Sequence, residues 1–239
     1  MADGLFLVGT ARGVGKTIIG VGLVALLRKM GVDATMMTPI STGGAVESAV
    51  TLLRQIGVEG PRRLINPVTL ETPAAPYVAS QVEGITIDVK QVLDAYQELR
   101  AQGKFVVVEG GGVMVPISRT YSMIDLLKDF GLPSLIIGRT GRGTLNHCIL
   151  TLRMMLVMGL YPEGFVLNGY GQYGEGFAES LNPDFLRTLV APTPVLATLE
   201  WRPEYQENLQ AFIRALKQKP GLMALLEALL KKDQVAPAL

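Results

Sequence analysis

Several residue types and patterns that mark particular protein classes are scarce in this sequence. A single cysteine, Cys148, excludes an internal disulfide framework and suits a reducing compartment. The N-terminus lacks the basic region of a secretory signal, and no apolar run approaches the roughly 20 residues that cross a membrane. The formal net charge of +1 gives no electrostatic reason to expect nucleic acid or an anionic membrane as a partner. We therefore expect a globular protein of the cytoplasm.

Apolar residues, by contrast, make up 49% of the chain and form alternating strand and helix patterns. The strand patterns are LFLVGT (5–10), VDATMMT (32–38), KFVVVEGGG (104–112), PSLIIG (133–138), EGFVLNG (163–169) and PVLAT (194–198). The helix patterns are 16–30, 46–57, 88–102, 122–130, 144–158, 183–190 and several segments within 204–232. Asp88 is the predicted N-cap of the third helix, and Ser122 with Asp125 resembles a capping box at the start of the fourth. The segment NPVTLETPAAPYVA (66–79) indicates a proline-rich connection. The alternation predicts a single α/β domain over residues 1–239, a doubly wound, mainly parallel sheet with helices on both faces and a C-terminal helical extension from about 204 to 239.

The stretch GTARGVGKT, residues 9–17, follows the first strand and opens the first helix. Its three glycines allow a tight turn whose backbone N–H groups meet at a helix N-terminus, an arrangement that binds phosphate. Lys16 is expected to reach the β- and γ-phosphates, and the Thr17 hydroxyl to ligate Mg²⁺. Five residues separate Gly9 from Gly15, one more than in the usual pattern. The stretch predicts a P-loop NTPase fold that uses ATP and Mg²⁺. The predicted nucleotide-binding residues here are Gly13, Val14, Gly15, Lys16, Thr17 and Ile18.

Other polar or glycine-rich segments also follow strands of the predicted sheet. They are Thr38–Gly44, Glu109–Gly112, Arg139–Asn146 and Asn168–Gly169. Because the carboxyl ends of parallel strands form one edge, we expect these segments to surround a single ligand site. A carboxylate at the end of a central strand suits Mg²⁺, so Glu109 is predicted as a metal ligand together with Thr17.

Several longer motifs resemble those of one family, dethiobiotin synthetase, whose phosphate loop is approximately G-T-x-T-x-V-G-K-T. The similar segments are TPISTGG, PAAPYVASQVEGITID, VVVEGGGVMVPI, GRGTLNHCILTL, VLNG and LEWRPE. They occur in the family's order and extend from Leu5 to about Glu204. The resemblance implies an ATP-dependent enzyme that closes the ureido ring of dethiobiotin from CO₂ and the diamine 7,8-diaminopelargonate.

The resemblance also implies roles for individual residues. Lys16 would stabilise charge on the transferred phosphoryl group, and Thr42 would act in catalysis and substrate binding. Further substrate contacts would come from the backbone of Gly110, Gly111 and Gly112 and from Asn146, whose helix packs at a twofold homodimer interface in the family. Asn168 would contact the nucleotide base, and Glu204 would lie beside the ribose. The lone His147 sits in the first turn of that helix, where packing or capping competes with any acid–base role.

The chain departs from the family at charged positions. Thr38 stands where the family has a lysine, and Ala49 stands where it has a metal-binding aspartate, with Glu47 the nearest acid. The family's A-P-H becomes A-P-Y at Tyr77. Arg12, inside the phosphate loop, is a gained cation, and we hypothesise that it acts catalytically by supplying charge that the absent lysine would supply. The alternative is an arginine that points to water.

Two other functions fit parts of the sequence. A ParA/MinD-like switch ATPase also has a lengthened phosphate loop, with a lysine one position from Arg12. Such switches carry an aspartate-based motif after the central strand, whereas this strand ends in Glu109 and three glycines. A relative that is catalytically silent, or that uses another substrate, would account for the two changed charged positions.

Overall fold

A computed structural model describes residues 3–44, 46–172, 176 and 180–231 of the 239-residue chain. Its strands are β1 (Gly4–Gly9), β2 (Ala34–Met37), β3 (Ile40–Thr42), β4 (Val68–Leu70), β5 (Phe105–Glu109), β6 (Ser134–Arg139), β7 (Gly164–Tyr170) and β8 (Val195–Glu200). The first helices are α1 (Lys16–Lys29), α2 (Val46–Gln55), α3 (Arg62–Ile65), α4 (Pro76–Glu83), α5 (Val89–Ala101) and α6 (Met123–Phe130). The remaining helices are α7 (Thr144–Val157), α8 (Asn182–Leu189), α9 (Glu204–Glu207), α10 (Leu209–Lys217) and α11 (Pro220–Lys231).

Six strands form one sheet in the order β2-β5-β1-β6-β7-β8, and every neighbouring pair is parallel. The phosphate-loop strand β1 lies between β5 and β6, so the loops that follow these three strands are neighbours. This topology confirms the predicted doubly wound α/β fold. It also places the ends of β2, β5, β1, β6 and β7 along a single edge.

Apolar side chains of β1 enter two separate cores, one on each face of the sheet. Leu5 and Leu7 pack with α1, α10 and α11, whereas Phe6 and Val8 pack with α5, α6 and α7. All four side chains are almost completely buried. Because both faces of the sheet are covered, its central strands are apolar runs without alternation.

The segment 66–79, predicted as a connection, contains strand β4 and the start of helix α4, so that prediction was wrong. β4 pairs with β3 in a separate two-stranded sheet beside the main one. Asn66, 4% exposed, holds this unit together by donating from Nδ2 to the carbonyls of Thr38 (2.6 Å) and Val68 (3.2 Å). Its Oδ1 accepts from the hydroxyls of Ser41 (3.1 Å) and Thr69 (2.5 Å). Three-residue strands carry too little local pattern to predict, and this one depends on a distant buried amide.

The starts of α5 and α6 were predicted more accurately than the segment 66–79, because helix capping depends on neighbouring residues in the sequence. Asp88 caps α5 by accepting a hydrogen bond from the Lys90 backbone N–H at 2.9 Å. Ser122 and Asp125 form the capping box predicted for α6. Cys148 is fully buried, and burial raises the pKa of its thiol to about 11.

The C-terminal helices are joined to the main core. Leu216 of α10 packs directly over Gly22 of α1, where any Cβ would collide with the leucine side chain. Gly221 of α11 lies against the backbone of Leu196 in β8. A Cβ built on this glycine would lie only 2.6 Å from the Leu196 carbonyl oxygen.

Within the described residues, no helix combines the length and apolar character that a membrane crossing requires.

Candidate active site

The phosphate loop runs from the end of β1 to the start of α1, the strand–turn–helix context that the motif requires. Gly13 (φ 71°) and Gly15 (φ 93°) adopt the left-handed conformation, which favours glycine. Lys16 folds back over the loop, so a Cβ on Gly9 would lie 2.7 Å from its Nζ. The glycines therefore provide both the turn and the room for the lysine.

Glu109 ends β5, in register with Leu7 on β1. Its Oε1 accepts a hydrogen bond from the Thr17 hydroxyl at 2.6 Å, and its Oε2 accepts one from the Thr38 hydroxyl at 3.3 Å. Two loops separated in sequence thus fix the same carboxylate. Thr38, noted in the sequence only for the lysine it replaces, is a constituent of the site.

Lys16 and Glu109 form a desolvated pair of opposite charge. Burial raises the pKa of Glu109, against the opposing effects of the Thr17 hydrogen bond, the charge of Lys16 and the Thr38 hydrogen bond. Burial lowers the pKa of Lys16, and the charge of Glu109 opposes that shift. A ligand of opposite charge would stabilise the charged form of each group, an anion beside Lys16 and a cation beside Glu109.

The donor atoms at Glu109 suit Mg²⁺. They are a carboxylate and a neighbouring threonine hydroxyl, and Mg²⁺ prefers oxygen ligands supplied by one or two carboxylates, phosphate and water. Among the described residues, no cluster of three or more histidine, cysteine, aspartate or glutamate side chains could form a protein-only metal cage. The Glu109 carboxylate and the Thr17 hydroxyl, beside the phosphate loop, are donors that fit a metal shared with a bound nucleotide.

A cavity of about 360 Å³ opens beside the phosphate loop. Its polar wall consists of Arg12, Lys16, Thr17, Thr38, Thr42 and Glu109. Its backbone wall is Gly110, Gly111 and Gly112, and its apolar wall consists of Ala11, Ile40, Ala74, Ala75, Pro76, Val115 and Met123. The lining thus combines charged and hydroxyl groups that can meet phosphate with apolar side chains that can pack against a hydrocarbon chain.

The remaining predicted site residues lie outside this cavity lining. Val14 is a buried residue of the phosphate loop itself, and Asn168 contacts the loop from β7, with Nδ2 donating to the Val14 carbonyl at 3.0 Å. Ile18 is half-buried in the first turn of α1 and packs against the core. Asn146 on α7 and Glu204 at the start of α9 are both exposed.

The structure also shows the surroundings of Ala49 and Tyr77, two positions at which the chain departs from the family. Ala49, only 2% exposed, is a core residue of α2, so the position of the family's aspartate is occupied by packing. The side chain of Glu47 lies outside the described residues. Tyr77 is held through its backbone, whose N–H donates to the Pro116 carbonyl at 3.0 Å. The apolar wall at Ala74–Pro76 was not predicted, although its proline-rich sequence had been noted as part of a motif.

A family model described as an AAA domain matches residues 3–208. The ATP-dependent dethiobiotin synthetase BioD of Thermodesulfovibrio yellowstonii is 32% identical over 223 residues, which is 87% of this chain and 92% of that protein. The BioD of Anaeromyxobacter dehalogenans is 36% identical over 220 residues, 90% of this chain and 98% of that protein. In Methanocaldococcus jannaschii the identity is 35% over 169 residues, 69% of this chain and 78% of that protein.

Among solved structures, a plasmid partition protein from Borrelia burgdorferi has a TM-score of 0.58 at 12% identity, covering 95% of this chain and 98% of its own. The MinC:MinD cell division protein complex of Aquifex aeolicus has a TM-score of 0.56 at 12% identity, covering 98% of this chain and 97% of its own. At these identities the similarity shows the fold alone.

Proposed function

We propose that this chain, which belongs to the ATP-dependent dethiobiotin synthetase family, closes the ureido ring of dethiobiotin from 7,8-diaminopelargonate, CO₂ and ATP. The observation that carries the proposal is the cavity beside Lys16 and Glu109, which charged, backbone and apolar groups line together. Its lining includes a phosphate loop, a carboxylate and a set of apolar side chains. A substrate with a reacting polar end and an aliphatic chain needs both polar and apolar contacts.

In the proposed reaction, one amine of the diamine attacks CO₂ and loses a proton, which gives a carbamate. A carbamate oxygen attacks the γ-phosphorus of ATP, and ADP leaves. The second amine then attacks the carbamoyl carbon, loses a proton and expels phosphate, which closes the ring. These steps require close positioning of the reactants and cations that stabilise charge on the phosphoryl group.

Lys16 supplies the cation of the phosphate loop in this proposal. The residue lines the cavity with its Nζ close to Gly9, and its pKa is lowered by burial, so a bound polyphosphate would stabilise its charged form. Thr17 and Glu109 would hold Mg²⁺, which when bound neutralises charge on the phosphate oxygens. Asn168 and Glu204 would contact the base and the ribose of the nucleotide.

The second loop and the glycine backbone are proposed to hold the diamine. Thr42 and the backbone of Gly110, Gly111 and Gly112 line the cavity. The Gly110 N–H already donates to the Leu7 carbonyl at 2.9 Å, so the Thr42 hydroxyl and the N–H groups of Gly111 and Gly112 are proposed to donate to the polar groups of the substrate. Met123 and Pro76 line the same cavity, and the aliphatic chain is proposed to pack against them. Arg12 lines the same cavity as Thr38, and this supports the hypothesis that its guanidinium supplies the missing charge.

A homodimer in the cytoplasm is proposed as the working form. Leu150 and Val157 on α7 are 59% and 79% exposed, and they lie on the same helix face as Asn146. An apolar helix face of this kind fits a second copy of the chain, which would bring Asn146 towards the neighbouring substrate. Analytical ultracentrifugation tests this, because Leu150→Glu should convert a dimer to a monomer.

A product assay tests the proposed activity. Purified protein is mixed with MgATP and ¹³C-labelled bicarbonate, with and without 7,8-diaminopelargonate, while phosphate and dethiobiotin mass are followed. We expect one phosphate per labelled dethiobiotin and no phosphate without the diamine. Phosphate release that ignores the diamine would contradict the proposal and favour a switch ATPase. No release would favour a silent relative.

A further inference from the structure

Two side chains hold the carbonyl side of the phosphate loop. Arg139, at the end of β6, donates from Nη2 to the carbonyls of Arg12 and Gly13, both at 3.2 Å. Asn168, on β7, donates to the carbonyl of Val14 at 3.0 Å. Arg139 and Asn168 are direct partners in the β6–β7 pairing. Three consecutive loop carbonyls are thus held by one pair of adjacent strand residues.

The direction of a carbonyl also fixes the direction of the next amide. In a planar trans peptide, the C=O of one residue and the N–H of the following residue point to opposite sides. Holding the carbonyls of residues 12, 13 and 14 therefore turns the N–H groups of Gly13, Val14 and Gly15 away from Arg139 and Asn168. Successive N–H groups turned to one side form an anion-binding nest.

The two holding side chains fit closely against the loop. A Cβ on Gly13 would lie 2.9 Å from Arg139 Nη2, and a Cβ on Gly15 would collide with Asn168 Nδ2. The segment that carries Arg139 is itself anchored. The Thr144 hydroxyl donates to the Arg139 carbonyl, and Asn182 Nδ2 donates to the carbonyls of Thr140 (3.0 Å) and Gly141 (3.3 Å).

We propose that Arg139, with Asn168, is a positioning residue that holds the phosphate loop in its anion-binding conformation before the nucleotide binds. This role deepens the proposed function, because it rests on nucleotide binding at the same loop. It gives Asn168 a second role beside the predicted base contact. It also accounts for the guanidinium at the end of β6, which contacts the carbonyl groups of the loop.

The test compares the unchanged protein with Arg139→Gln, Arg139→Lys and the control Arg214→Gln, which removes an equal charge from an exposed position on α10. Calorimetry measures the affinity for MgADP, and hydrogen exchange measures protection of the loop amides without nucleotide. We expect Arg139→Gln to bind MgADP about tenfold more weakly, because it loses hydrogen bonds from a charged donor. Its amides at residues 13–15 should exchange faster. Arg139→Lys keeps the charge but not the two-pronged guanidinium, so its affinity and exchange rate should lie between those of the unchanged protein and Arg139→Gln. The control should match the unchanged protein.

Unchanged affinity and exchange in Arg139→Gln would overturn the proposal. Weaker binding with unchanged exchange would also overturn it, because that result indicates direct contact with the nucleotide. If Arg139→Gln fails to fold, Arg139→Lys decides, since behaviour identical to the unchanged protein contradicts the role. Neither readout uses the diamine, so dethiobiotin synthesis can fail while the positioning role holds. A chain that binds no MgADP at all would overturn both.

Discussion

The phosphate loop (residues 9–17) and the second loop (residues 38–44) border the same cavity but are built differently. The phosphate loop follows β1, which pairs with β5 and β6 inside the main sheet, and Arg139 and Asn168 hold its carbonyls. The second loop is supported by a two-stranded sheet and one buried amide, Asn66. The region that would meet the phosphates is therefore anchored in the central core. The region that would meet the diamine rests on a smaller unit, and the departure from the family at Thr38 falls there.

Loss of the loop lysine should separate the two regions most strongly. We expect Lys16→Met to lower kcat at least a hundredfold, because it removes the cation proposed to stabilise the transferred phosphoryl group. The affinity for the diamine should stay within about twofold, since the second loop is untouched. Steady-state kinetics and calorimetry measure both values, with Lys217→Met on α10 as the control. A comparable loss in the control would contradict the assigned role.

Removal of the buried amide should break the second region alone. Asn66→Ala leaves the Thr38 and Val68 carbonyls and the Ser41 hydroxyl without their partner, so we expect the free energy of unfolding to fall by about 2–3 kcal/mol. The KM for the diamine should rise, while the affinity for MgADP should change little. Urea unfolding and calorimetry test this separation. Equal losses of both ligands would show that the regions are not independent.

Exchange of charge between the regions tests the compensation hypothesis. If Arg12 supplies the charge that a lysine at position 38 would supply, Arg12→Ala should lower kcat about tenfold, the loss of a charged hydrogen-bond donor. Adding Thr38→Lys to that variant should then restore most of the rate. The product assay measures each variant, with Arg214→Ala as the control. An unaffected Arg12→Ala variant would end the hypothesis.

The smallest effect is expected at the cap of α6, next to Met123 on the apolar wall. The hydrogen bond from the Ser122 hydroxyl, then that from its backbone N–H, lowers the pKa of Asp125. The ionised carboxylate therefore stabilises the fold above the ordinary aspartate pKa of about 3.9, and this contribution is lost as the pH falls through the lower folded value. We expect Asp125→Asn to cost about 1 kcal/mol at pH 7 and almost nothing near pH 2. Thermal melts of the unchanged and Asn variants across pH measure the difference, and a constant difference would contradict it.

The sequence predicted the parts of the molecule that depend on local pattern. Apolar runs gave the six main strands, side-chain caps gave the starts of α5 and α6, and the glycine spacing gave the phosphate loop. Contacts between distant residues escaped prediction. The hydrogen bond from Thr38 to Glu109 spans 71 residues, and that from Arg139 to the loop spans 127. Pairing of β3 with β4 likewise depends on Asn66, whose partners no local pattern identifies.

The packing of Leu216 over Gly22 determines how far the C-terminal end can be shortened. The family model ends its match at residue 208, one residue before α10 begins. A chain cut there would lose Leu216 and uncover an apolar groove along the same helix that starts at Lys16. We therefore expect that the shortest version that folds without aggregating includes α10, although no residue of that helix lines the cavity.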